Sequence, residues 1–95
     1  MLIDKGLSEG DIISIKLTSG EELVARLVEE NDAHVKLQRP MVLTAAKDGL
    51  MMVPYLFTVD PLRQVKIYKA TITVMEPTEQ NAAKRFVEAT TGIVT

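Results

Sequence analysis

Residues 10–37 read GDIISIKLTSGEELVARLVEENDAHVKL, and their periodicity decides the fold. Ile13, Ile15 and Leu17 alternate with Ser14 and Lys16, the period of two that marks a half-buried strand. Thr18-Ser19-Gly20 interrupts the run with turn residues, and Leu23, Val24, Ala25, Leu27 and Val28 resume it. The polar string Glu29-Glu30-Asn31-Asp32 makes a second turn, after which Val35, Leu37, Met41, Val42 and Leu43 begin a third extended segment. The expected strands are 11–17, 21–30 and 33–46, tightly connected in a bent antiparallel meander. Pro40 has no backbone N–H, so a bend or bulge is expected at Arg39-Pro40.

Downstream, Lys47-Asp48-Gly49 is a compact hairpin signal, because Asp-Gly tolerates positive φ. The dense apolar run Leu50 to Phe57 reads as a fourth strand, interrupted by Pro54, and Thr58-Val59-Asp60-Pro61 reads as a loop. Val65, Ile67, Ala70, Ile72 and Val74 give a last strand over 64–75, and their slip in phase predicts a bulge near Tyr68-Lys69. A helix is expected from Glu76-Pro77-Thr78 onward, with acidic residues at its positive end. Ala82, Ala83, Phe86, Val87 and Thr90 form one stripe of it, and Gly92 is a plausible stop. At the other terminus, Leu2, Ile3 and Leu7 are expected to pack over the open end of the strands. The fold class is therefore all-β: a five-stranded, strongly bent antiparallel small barrel over 11–75, an N-terminal segment over 1–10 and a C-terminal helix over 76–91.

A chain of 95 residues makes one domain with one core. It has no cysteine, which removes disulfides and thiolate metal sites. No segment approaches the ~18 consecutive apolar residues of a membrane span, and Met1 to Gly6 lacks the features of a signal peptide, so a cytoplasmic protein is expected. The net charge of −2, from 13 acidic and 11 basic residues, lacks the basic surplus typical of duplex binders. Two Tyr, two Phe and no Trp leave few stacking platforms.

Enzymatic chemistry is poorly served. His34 is the sole imidazole, and a Ser-His-Asp arrangement has no other ring to use. Asn31-Asp32-x-His34 falls short of a zinc ligand set. No phosphate loop, nucleotide fingerprint or paired-carboxylate pattern occurs. The expectation is a non-enzymatic protein with no metal and no cofactor.

The pattern Gly20, Leu23, Ala25, Leu27, Asn31 and Leu37 resembles the first signature motif of the Sm/LSm (Hfq-like) proteins, over about a third of the chain. The family usually has Gly at the place of Ala25, Asp at that of Asn31 and Asn at that of Val35. Leu62-Arg63-Gln64-Val65 resembles the apolar-Arg-Gly sequence of its second motif, without the Gly. The resemblance implies the Sm-like, or more widely SH3-like, barrel. A clear helix after the barrel rather than before it is similar to the small Sm-like proteins of some tailed bacteriophages.

For function, the resemblance implies single-stranded RNA held between two loops. Asn31 takes the position of the family Asp and His34 the stacking position. Val35 cannot make the family's base contact, Arg63 supports the bases, and Asp32 and Lys66 lie beside them, with Lys69 a further cation. The plain alternative is that Asn31-Asp32 is only a turn, His34 a strand-start residue and Arg63 a solvated charge. The resemblance also implies a homo-oligomeric ring of about five to seven subunits, in which the fourth strand of one subunit pairs with the fifth of the next. Met51, Met52, Val53, Tyr55, Phe57, Ile67 and Ile72 are the expected interface. The competing possibility is a monomer whose helix folds over the free edge. A different function on the same fold is an oligomeric protein-interaction scaffold that has lost RNA binding.

Overall fold

The computed structural model describes residues 6–91. It is mainly β: β1 (Ile12–Leu17), β2 (Glu22–Glu30), β3 (His34–Ala46), β4 (Gly49–Pro54), β5 (Gln64–Tyr68) and β6 (Ile72–Pro77), followed by α1 (Gln80–Thr90). The strands form one antiparallel sheet in the order β4-β3-β2-β1-β6, with β5 paired to β3.

β3 changes partner along its length. Its first part, His34 to Gln38, pairs with β5, and Met41 to Ala46 pair with β4, while β2 follows its other edge. The handover falls at Arg39-Pro40. Arg39 takes φ 57, the left-handed region that costs an ordinary residue roughly 1–2 kcal/mol. Pro40 cannot donate to a ladder, but its carbonyl accepts from the Tyr55 N–H at 2.9 Å, which ties the exit of β4 to the bend. The bend expected at this dipeptide is thus present.

Four expectations need correction. Among the described residues there are six strands rather than five, because the segment over 64–75 is broken. A 3₁₀ turn at Lys69–Thr71 stands where a bulge was expected and redirects the chain from β3 to β1. The sheet is not closed, since β5 and β6 are joined by this turn and not by a ladder. The fourth strand ends at Pro54 instead of Phe57: the Tyr55 N–H still donates in register to the Pro40 carbonyl, but Pro40 has no N–H to return and the ladder stops there. The helix also begins later than expected. Pro77 still belongs to β6, and the Glu79 carboxylate caps α1 by accepting from the N–H groups of Asn81 (2.8 Å) and Ala82 (3.1 Å). Gly92, Leu2 and Ile3 lie outside the described residues, whereas Leu7 packs against the inner core.

β2 supplies both cores by alternation. Leu23, Ala25 and Leu27 face inward with Ile13, Ile15, Leu17, Val35, Leu37 and Ile67. Val24 faces outward and meets Met41 and Phe86, with Ile12, Leu43, Met52 and Val87 around them. The helical stripe expected from the sequence is the face that packs. Phe86, 1% exposed, is its anchor.

Truncating a buried aromatic costs about 3–5 kcal/mol, so Phe86→Ala is expected to lower the urea midpoint steeply. A loss below about 1 kcal/mol would mean that the helix is not held by this ring.

Candidate nucleic-acid interface

The β3–β5 ladder pairs His34 with Tyr68, Lys36 with Lys66, and Gln38 with Gln64. Val35, Leu37 and Ile67 between them are buried, so the three pairs share the outward face. At ~3.3 Å per residue the stripe from His34 to Gln38 runs roughly 13 Å, and opposite side chains stand close enough to act together. Its order along the sheet is two rings, two ammonium groups, two amides.

At one end the His34 and Tyr68 rings meet edge to face, with centroids 6.1 Å apart. Tyr68 is 55% exposed, leaving ring surface open to a planar partner. Asn31 sets this end. Its Oδ1 accepts from the N–H groups of Ala33 (2.8 Å) and His34 (2.9 Å), and its Nδ2 lies 3.3 Å from His34 Nε2. Asn31 therefore shapes the turn and aims the imidazole, and its side-chain oxygen is committed. Asp32 is exposed in the same turn.

In the middle, like charges directly opposite each other are unfavourable on a strand pair. Glu29 offsets Lys36, with Nζ–Oε1 at 3.4 Å. Lys66 is exposed, and among the described residues it takes part in no ion pair. Lys69, in the 3₁₀ turn beyond Tyr68, is bound to Glu30 at 2.7 Å. Arg63 sits at the opposite end, one residue before the Gln38–Gln64 pair. There it lines a shallow depression with Lys36, Gln64, Leu62 and Asp60.

The sequence-derived site residues thus occupy one outward face but not one pocket. Asn31, Asp32 and His34 stand at one end, Lys66 in the middle and Arg63 at the far end. Tyr68, Lys36 and the Gln38–Gln64 pair were missed by sequence reasoning. The cue available was the alternation of Tyr68, Lys66 and Gln64 with Ile67 and Val65, which shows a common face but not which strand lies opposite.

The residues expected at a subunit interface are dispersed. Met51 is half exposed on β4, and Phe57 is 78% exposed in the loop after it. Met52 packs toward the helix, and Tyr55 and Ile72 pack on the inner core. Val53 is half-buried. Ile67 lies inside the protomer, opposite Val35. Among the described residues no group of three or more His, Asp or Glu is placed to hold a metal ion, and no helix is long and apolar enough to cross a membrane. No protein-family model and no curated protein matches the chain.

Asn31→Ala removes the acceptor that closes the turn, and such capping losses cost about 1 kcal/mol. The expected outcome is a fall in melting temperature of about 4–8 °C, read by circular dichroism. An unchanged value would show that the turn stands without this side chain.

Proposed function

We propose that the chain is a non-enzymatic, Sm-like subunit that binds single-stranded RNA along the outward face of the β3–β5 ladder. The observation that carries this reading is the register His34–Tyr68, Lys36–Lys66, Gln38–Gln64. Rings receive base faces, ammonium groups receive phosphates, and primary amides can both donate and accept along base edges. With few cations in play, binding is weak, salt-sensitive and tolerant of sequence.

The same reading includes self-association into a ring. β4 has a neighbouring strand on one side only, as does β6. Both carry exposed apolar side chains: Leu50 and Met51 on β4, and Val74 on β6. Pairing such edges between copies would remove an aggregation hazard and join the subunits head to tail. α1 packs its buried anchor on the sheet face with Val24 and Met41 and meets Met52 of β4 there. The backbone edge of β4 away from β3 stays unpaired among the described residues, and this free edge favours an oligomer over a helix-capped monomer.

A second reading, an oligomeric scaffold for protein partners without RNA, is favoured by the acidic neighbours. Glu29 and Glu30 already hold Lys36 and Lys69, and the whole chain carries −2.

Fluorescence anisotropy with a U-rich oligonucleotide at low salt separates the two, run beside light scattering on a sizing column. Stacking on an aromatic is worth roughly 1–3 kcal/mol per base, so Tyr68→Ala and His34→Ala are each expected to weaken binding about fivefold or more. A discrete multimer with no RNA affinity would select the scaffold. A monomer would remove the ring.

A further inference from the structure

A cleft of about 170 Å³ lies between the bend of β3 and the loop over 55–63. Its walls are mostly apolar: Pro40 and Met41 from the bend, Pro54 from the end of β4, and Leu56, Phe57 and Val59 from the loop. A cavity of roughly 150 Å³ accepts a benzene ring, so this one is of single-ring size. Leu56 and Phe57 are 39% and 78% exposed, an unusual concentration of apolar surface on so short a loop.

Two guanidinium side chains, Arg39 and Arg63, share the lining. The ion pairs among the described residues are Lys36–Glu29 and Lys69–Glu30, so neither arginine is neutralised there. Asp60 also lines the cleft, but its Oδ1 accepts from the Leu62 N–H at 2.9 Å and its carbonyl from the Arg63 N–H at 2.9 Å, and both contacts shape the loop. Arg39 is also the residue held at φ 57, where Gly or Asn would be less strained. Backbone strain under a charged side chain at a cleft is a reason to look for a ligand.

We infer that the Arg39–Arg63 cleft binds a small organic anion, a carboxylate on an apolar body of ring size. The body sits against Pro40, Met41, Leu56 and Phe57, and the two guanidinium groups receive the carboxylate. Arginine suits this role through its planar fork of donors. The cleft shares Arg63 and Asp60 with the depression at the Gln38–Gln64 end of the stripe, but the inference does not rest on RNA binding.

The test is a titration of ¹⁵N-labelled full-length protein with phenylacetate, with benzyl alcohol as the neutral probe of the same ring. The expected result is saturable shifts of the amides of Met41, Leu56 and Val65 in the millimolar range, typical of so small a ligand. Benzyl alcohol should bind at least fivefold more weakly. Arg39→Gln and Arg63→Gln should each weaken phenylacetate about five- to tenfold while leaving the neutral probe unchanged. Equal binding of the two probes, or no saturable shift with phenylacetate on the wild-type protein, would overturn the assignment, and neither outcome depends on a variant that must fold.

Discussion

The structure depends on one strand serving two partners. β3 gives its first part to β5 and its last part to β4, and the division is made by a dipeptide with little else to do in a sheet. Pro40 cannot extend a ladder, and Arg39 accepts a left-handed backbone so that the chain can turn. A straight strand of the same thirteen residues would run about 43 Å and leave one sheet face bare. Bent, it gathers Val35 and Leu37 into the inner core and Met41 into the outer one. The strain at Arg39 is small against the apolar area enclosed on both sides, since burying a single Leu or Ile recovers roughly 1.5–3 kcal/mol.

The same division places the surface chemistry. Because β5 pairs with the first part of β3, its outward residues fall beside His34, Lys36 and Gln38 in like pairs. The 3₁₀ turn at Lys69–Thr71 then carries the chain across to β1, so β6 and β4 are left at the two ends of the sheet. Glu30 fixes Lys69 where this turn begins. One backbone path therefore produces a polar stripe, three strands (β4, β5 and β6) with a strand neighbour on one side only and, at the bend itself, a cleft with two guanidinium groups.

Much of the fold was legible in the sequence. The alternation of Ile13, Ile15 and Leu17, the turn at Thr18-Ser19-Gly20, the bend at Arg39-Pro40 and the stripe through Phe86 all follow from periodicity and from what Pro and Gly permit. The failures share one cause. Whether Tyr68-Lys69 is a bulge or a 3₁₀ turn depends on which strands flank it, and local phase carries no record of a partner. The site was legible only in part for the same reason. Asn31 and His34 are neighbours in sequence and meet in space, but Tyr68 joins them through a pairing of strands 34 residues apart. Arg63, assigned by resemblance to the same pocket, lies at the far end of the ladder because β5 runs antiparallel to β3.

The most direct measurement is photo-crosslinking of the full-length protein to a single-stranded oligonucleotide carrying 4-thiouridine, with the modified residues identified by mass spectrometry. Crosslinks at Tyr68 and His34, competed by unlabelled RNA and lost at high salt, are the expected result. Crosslinks confined to α1 or to the loop over 55–63, or none above background, would contradict the placement of RNA on the β3–β5 face.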